Sequence, residues 1–373
     1  MGTSTEHVEG FLRAVGRKDG VLILPHINPD PDSLASALAL KTLLAATTGV
    51  KADIGALGII GRAENRAMVR TLNIELVRQK DLDFRKYKKV ILVDSQPGRR
   101  NCGLPARRVP AAVIDHHPDW GTNERVKYTD IRENYGATST MATEYLHVAG
   151  VEIDSRLATA LLYGIASETQ DLGRDVYKPD LEAHMALYPM ADKAKLSRIR
   201  TPSLSKTYFR SLQRSIESAD LYGDVIVSVV PKLPYPDLVA ELADFLLRLD
   251  CVKWSWVVGD YEGEYFLSCR TSDRSANAAV TMQEVIGELG QGGGHESIAG
   301  GKIKAKDHAT LCIPDIVLDR ILTVLAHDRT ERAPLIIERG PEVAAGERNP
   351  GVNCSKAAAP AEDASVVSAK SSS

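Results

Sequence analysis

The sequence predicts an α/β protein with a mostly parallel sheet in its first half and a smaller α/β unit in its second. Between residues 21 and 166, short apolar runs alternate with longer helix-like runs. Such alternation predicts a parallel sheet covered on both faces. After a charged stretch around 189–205 the alternation restarts on shorter elements. Three first-half apolar runs also end in histidine or aspartate, and open α/β sheets gather their ligands at the C-terminal ends of strands.

The elements follow in order. Val21-Leu22-Ile23-Leu24 is a short apolar run and reads as a buried strand. Residues 33–46, rich in Ala and Leu, read as a helix. A strand over 52–57 and a helix over 64–72 come next. Val90-Ile91-Leu92-Val93 and Ala111-Ala112-Val113-Ile114 repeat the buried-strand pattern, and helices over 138–149 and 155–166 complete a first domain taken as 1–188. Residues 189–220 read as a helical connector, closing on a helix over 204–218. A second domain, 221–332, holds a strand (225–230), a helix (235–249) and two strands (252–259 and 264–270). Tyr261-Glu262-Gly263 is a plausible hairpin turn between those two strands. A helix over 276–289 leads to a glycine cluster, a strand-like 302–305 and a last helix, 313–326. Residues 333–373 fill with Ala, Ser, Pro, Gly and Glu, a composition that buries too little apolar surface to offset ordering entropy. A disordered tail is expected there.

Composition narrows the function classes. Of 373 residues 44% are hydrophobic and 25% charged, as in ordinary globular proteins. Lys and Arg number 46 against 49 acidic residues. That balance argues against a partner such as long duplex nucleic acid, whose affinity comes mostly from neutralised phosphates. A short oligonucleotide or single nucleotide needs only a local basic pocket. The five cysteines, Cys102, Cys251, Cys269, Cys312 and Cys354, form no C-x-x-C pair and read as free thiols in a reducing cytoplasm. Residues 1–20 lack the apolar core of a signal peptide, and no run is long enough to span a membrane.

The chemistry concentrates in a few motifs. His26-Ile27-Asn28-Pro29-Asp30-Pro31-Asp32-Ser33 leaves a strand and enters a helix. It places His26, Asp30 and Asp32 around a helix N-terminus, where carboxylates are favoured. Imidazole with several carboxylates suits a hard-to-borderline divalent ion, Mn²⁺ before Mg²⁺ or Zn²⁺. The alternative makes Asp32 an N-cap and Asp30 a turn residue. Asp94 ends a strand, ahead of the turn Ser95-Gln96-Pro97-Gly98, and is placed to bridge two ions. In Asp115-His116-His117 one imidazole can take a metal while the other faces substrate, with Asp115 orienting a ring through its second nitrogen. Glu168 and Asp171 both remain candidates for the last carboxylate. Gly136-Ala137-Thr138-Ser139 opens a helix and offers N–H groups either to a ligand or to plain capping. Gly292-Gly293-Gly294-His295 allows close backbone approach and anion binding, and Arg270 at a strand end can pair with phosphate. The arginines of Gly61-Arg62-Ala63-Glu64-Asn65-Arg66 are further candidates for lining a site, whereas the basic runs 85–89 and 107–108 read as solvated faces.

In combination and order, these motifs resemble the DHH phosphoesterase superfamily, in the subgroup with a DHHA1 domain, and most closely the nanoRNase and pAp phosphatase type. The likeness runs from Val21 to about Ala326. It implies a DHH catalytic domain and a DHHA1 substrate-binding domain with the active site in the cleft between them. It implies two Mn²⁺ ions, with Mg²⁺ or Co²⁺ as substitutes. His26, Asp30, Asp32, Asp94 and His116 fall on the family's ligand positions, and His117 on the residue that contacts the reacting phosphate. The last ligand position, usually aspartate, reads Ser167-Glu168-Thr169 here; the glutamate keeps the carboxylate and adds a methylene. Arg270, Gly293, Gly294 and His295 match the groups that hold the substrate's phosphate or nucleotide end. The implied reaction is two-metal hydrolysis of short oligonucleotides or pAp to mononucleotides, with no membrane partner and a homodimer left open. Linear dinucleotides such as pApA or pGpG, single-strand exonuclease action of the RecJ type, inorganic pyrophosphatase action and a nucleotide-binding regulator with weakened catalysis are the alternatives.

Overall fold

The computed structural model describes residues 4–17, 20–99, 101–308 and 311–336. The chain separates into two compact units, with the division between Ser205 and Lys206, inside the stretch expected to connect two domains.

The first unit contains α1 (Ser4–Val15), β1 (Val21–Pro25), α2 (Pro31–Thr48), β2 (Ala52–Ala56), α3 (Ala63–Thr71), β3 (Val77–Arg78), β4 (Lys89–Val93), β5 (Ala112–Asp115) and β6 (Thr129–Ile131). Four helices follow: α4 (Thr138–Val148), α5 (Ser155–Glu168), α6 (Lys178–Leu187) and α7 (Lys193–Arg200). The sheet runs β3-β2-β1-β4-β5-β6, with every neighbouring pair parallel. The order therefore reverses between β1 and β4. The connections that leave β1 and β4 run toward opposite sides of the sheet and leave a crevice at its C-terminal edge.

Side chains alternate across the pleat. Val21, Ile23, Ile91, Val93 and Ile114 face a large core shared with α1, α2, α4 and α5. Leu22, Leu24, Val90, Leu92 and Val113 face a small one closed by Leu57, Leu82, Phe84, Leu104 and Val126. Helices thus cover one face and loops the other, because the connections from β3 onward to β6 contain no α-helix. Two basic residues read as solvated bind backbone carbonyls instead. Lys89 donates to the Ala14 carbonyl at the end of α1 (2.9 Å), and Arg108 donates to the carbonyls of Phe84 and Tyr87.

The second unit contains α8 (Lys206–Glu217), β7 (Asp220–Tyr222), β8 (Val225–Val230), α9 (Leu238–Leu246), β9 (Trp254–Tyr261), β10 (Glu264–Thr271), α10 (Ala278–Ile286), β11 (Gly290–Gly294), β12 (Ile298–Lys304), α11 (Ile313–Val324) and β13 (Arg332–Pro334). Its sheet runs β11-β12-β10-β9-β8-β7-β13, antiparallel except for β8 beside β9. The expected tail starts within β13, which pairs with β7; residues 337–373 lie outside the described residues.

The glycine cluster is strand, not loop. Gly292 and Gly301 sit opposite each other in β11 and β12. A Cβ on Gly292 would meet Ile286 Cδ1 at 2.7 Å and Met282 Cγ at 2.8 Å. The missing side chains let α10 lie directly on this hairpin. Gly293, on the opposite face, has open space where its Cβ would be.

Candidate metal centre

The crevice between β1 and β4 is where the histidines and carboxylates meet. β1 delivers His26 and β4 delivers Asp94, and His26 Nε2 lies 3.7 Å from Asp94 Oδ2 across the strand reversal. α2 begins at the same place. Its N-cap is Asp30, which accepts from Ser33 N (2.9 Å) while Ser33 Oγ is 3.1 Å from Asp30 N. Capping leaves Asp30 within 3.4 Å of His26 Nε2. The next strand, β5, ends on Asp115 and brings in His116, whose Nε2 is 3.7 Å from Asp94 Oδ1. His26, Asp30 and Asp94 form one group with metal-ligand spacing; Asp94, His116 and His117 form another. Asp94 belongs to both.

Two imidazoles are oriented as ligands. His116 Nδ1 sits 3.1 Å from the Tyr135 carbonyl, and His26 Nδ1 sits 2.9 Å from the Ile27 carbonyl. A carbonyl only accepts, so each Nδ1 is the donor there and each Nε2 is left facing Asp94. Among the described residues His116 Nε2 is buried without a hydrogen-bond partner. An orphaned buried lone pair facing carboxylates is what a cation would satisfy.

Asp32 also has partners that neither sequence alternative included. It is fully buried, and its two oxygens accept from Thr138 N (2.8 Å) and Ser139 N (2.7 Å) at the start of α4. It therefore caps a helix more than a hundred residues away. The amides of Thr138 and Ser139, which the sequence offered either to a ligand or to capping, are spent on Asp32. Thr138 Oγ1 also donates to Asp94 Oδ1 at 3.0 Å.

The electrostatics are those of a crowded anionic site. Burial, and then Asp94, push Asp32 up to about 8. Burial, and then Asp30 and Asp94, push Glu168 up to about 7. Burial opposes charge on His26, but Asp30 and Asp94 outweigh it and hold the ring at about 10. A divalent ion would answer the same field, and His26 Nε2 could hold it in place of a proton. Asp94 itself is held in the left-handed region (φ 56°), and so are Gln170, Asp171 and Leu172 just after Glu168 (φ 49°, 55° and 66°). Strain of this kind collects at functional sites.

The two candidates for the last carboxylate are placed differently. Asp171 is exposed and pairs with Arg200 at 2.6 Å, whereas Glu168, the final residue of α5, interacts with Asp30 and Asp94.

His117 is set apart from the two ligand-like rings. Its Nδ1 lies 2.9 Å from Asp115 Oδ1. Burial disfavours its charge, but Asp115 and Asp94 override this and raise it to about 12. Asp115 in turn accepts from Gln96 Nε2 at 2.8 Å. The sequence reading passed over Gln96 as part of a turn, and it missed Thr138 as an individual donor. A buried amide two residues beyond Asp94 was the available signal.

Two family descriptions match this chain. DHH family, N-terminal domain, matches residues 20–165, and DHHA1 domain matches residues 223–321, together more than half of the chain. The chain belongs to the DHH/DHHA1 superfamily. It is 35% identical over 289 residues to MJ1633, an uncharacterized protein of Methanocaldococcus jannaschii, covering 77% of this chain and 58% of that one. It thus spans little more than half the length of that relative. It is 26% identical over 308 residues to the bifunctional oligoribonuclease and PAP phosphatase NrnA of Thermus thermophilus, covering 80% and 88% of the two chains. Among solved structures, an exopolyphosphatase-related protein from Bacteroides fragilis superimposes with a TM-score of 0.64 at 15% identity, over 86% of this chain and 97% of that one, which shows a shared fold.

The DHHA1 domain presents the other predicted residues differently. Arg270, in β10, is buried and already ion-paired with Asp244 of α9; it also donates to Ser268 Oγ at 2.8 Å and to the Cys269 carbonyl at 2.9 Å. His295 is exposed in the turn between β11 and β12, its backbone N–H donating to Ile298 O at 2.8 Å. Gly293 and Gly294 lie in β11, at the edge of the sheet.

Proposed function

We propose that this protein is a metal-dependent phosphoesterase that hydrolyses short oligonucleotides or pAp to mononucleotides. One observation carries the reading: two imidazole lone pairs, one of them orphaned and buried, converge with Asp30 on the shared carboxylate Asp94. His26, Asp30, Asp32, Asp94, His116 and Glu168 are the residues that would hold divalent ions, Mn²⁺ by the donor set. When bound, such ions neutralise phosphate charge and lower the pKa of water to near neutrality.

The rest is work for the chain's own residues. His117, steadied by Asp115, donates to a phosphoryl oxygen and stabilises the charge that develops there. Gln96 holds Asp115, and so fixes the ring one step removed. Thr138 fixes the Asp94 carboxylate by its hydroxyl. Arg270, Gly293, Gly294 and His295 are the groups proposed to hold the end of the substrate remote from the scissile bond; Arg270 would trade its bond to Asp244 for a phosphate. The name of the Thermus thermophilus relative, an oligoribonuclease and PAP phosphatase, supports the substrate class.

The test is turnover of pAp, a diribonucleotide, pApA and pGpG by the purified chain with Mn²⁺, Mg²⁺ or Co²⁺. His116→Ala and Asp94→Ala are each expected to lower kcat at least about a thousandfold, as loss of an essential group does. Turnover unchanged in either variant would overturn the assignment. A wild-type chain that binds nucleotide and metal yet turns over none of the four would make it a binding protein instead.

A further inference from the structure

The C-terminal edge of the first unit's sheet carries a second concavity, outside the carboxylate cluster. β2 and β3 end in it and α3 forms one wall. Its volume is about 570 Å³, within the range of small-ligand sites. Ala56, Ile60, Val69, Ile74 and Leu76 supply an apolar lining. Arg66, Arg70, Arg78 and Lys80 also line it, and no acidic residue does among the described residues. Arg66 and Arg70 are one helical turn apart on α3, so they share a face. Arg70, Arg78 and Lys80 are exposed.

An apolar hollow ringed by like charges is a poor way to stabilise a fold. Mutual repulsion costs free energy, and the apolar surface stays wet. Both costs reverse when the occupant is an anion with a flat apolar body. The hollow is also tied to the metal loop. Gln79 accepts from Gly58 N (2.9 Å), Asn28 Oδ1 accepts from Ile59 N (2.8 Å), and Asn28 N donates to Leu57 O (2.9 Å). Asn28 stands between His26 and Asp30 in the left-handed conformation (φ 60°).

We propose that this cavity is a second nucleotide site: it binds a nucleoside monophosphate, the base against the apolar lining and the phosphate among the arginines. The choice of nucleotide rests on the proposed reaction, whose products are mononucleotides. The charge and shape argument stands without it. Arginine favours phosphate through paired N–H donors.

The test is photolabelling of the full chain with 8-azidoadenosine 5′-monophosphate in the presence of a chelator, followed by peptide mapping. Label is expected within residues 56–80. AMP should suppress it at concentrations at least tenfold below those needed with adenosine. Arg70→Glu with Arg78→Glu should lower it at least tenfold. Arg70→Gln with Arg78→Gln, which removes charge without reversing it, should lower it at least threefold with unchanged thermal unfolding. Label found only elsewhere, label undiminished in both double variants, or equal suppression by adenosine would overturn the site. The readout needs neither metal nor turnover, so an inactive chain can retain the site and an active chain can lack it.

Discussion

The two units treat their chemistry-bearing residues in opposite ways. At the edge of the parallel sheet, residues from β1, α2, β4 and β5 are brought together and left partly unsatisfied; the orphaned nitrogen of His116 is the sign of it. In the antiparallel unit the singled-out groups are either satisfied or dispersed. Arg270 is locked to Asp244, His295 sits exposed in a turn, and Gly292 serves helix packing. Parallel strands point all their C-terminal ends one way, so ligands from distant sequence converge at one edge. Antiparallel strands send successive ends to opposite edges. An unsatisfied cluster marks where free energy has been withheld from folding; a satisfied arginine marks where it has been used.

Three measurements would break or sharpen this contrast. The largest effect is expected where the first unit does satisfy its buried charges. Arg132 pairs with Asp130 at 2.8 Å and Glu144 at 2.9 Å, and Asp130 is also held by Tyr145 OH at 2.7 Å. Arg132→Met takes the guanidinium from buried Asp130, leaving it Tyr145 OH and His7 Nδ1 at 3.4 Å, and should cost about 3 kcal/mol. Urea unfolding of the first unit reads it, with faster hydrogen exchange in β6 and α4; a change below about 1 kcal/mol would show the network to be dispensable.

A smaller effect is expected in the glycine hairpin. Gly301→Val drives a side chain into Ile286 and Met282, and should cost about 1–3 kcal/mol by overpacking. Gly293→Ala, facing open space, should stay within about 0.5 kcal/mol. Equal effects would mean that the glycines are not there for α10. The fluorescence of buried Trp254 and Trp256 reports this unit's unfolding.

The smallest effect concerns pH. Burial opposes charge on His327, but Glu331 and Asp224 outweigh it and raise it above its ordinary 6.5. Its folded-state value is raised, so its contribution is complete below about 6.5 and fades as pH climbs through the raised value. Being near the surface, the pair contributes at most about 1 kcal/mol. His327→Gln should flatten the second unit's stability across that window; an unchanged profile would assign the slope to other groups.

Much of the site was legible because strand ends and motif spacing are local properties. His26, Asp94 and His116 each follow an apolar run, and the parallel sheet carries them to one edge. The capping of α4 by Asp32 was not legible because its partners, the amides of Thr138 and Ser139, belong to a helix that only tertiary folding brings near. The packing role of Gly292 was not legible because composition cannot show that Met282 and Ile286 of α10 lie against it. Helix α1 was overlooked amid its charges, although Val8, Phe11 and Val15 recur at helical spacing and are all buried.

Gln96 carries a last consequence. A primary amide offers two donor and two acceptor positions, and Gln96 fills all four: Nε2 donates to Asp115 Oδ2 (2.8 Å) and Pro118 O (2.9 Å), and Oε1 accepts from Trp120 N and Asn123 Nδ2 (3.2 Å each). One side chain from the end of β4 therefore acts as a locating pin for the loop that leaves β5. The loop, displaced along the sheet, strains all four bonds at once. Its tolerance is that of a machined fixture: seated or released. Replacing the amide by a carboxylate would strip both donors and set a second anion against Asp115, and the imidazole of His117 would lose its datum.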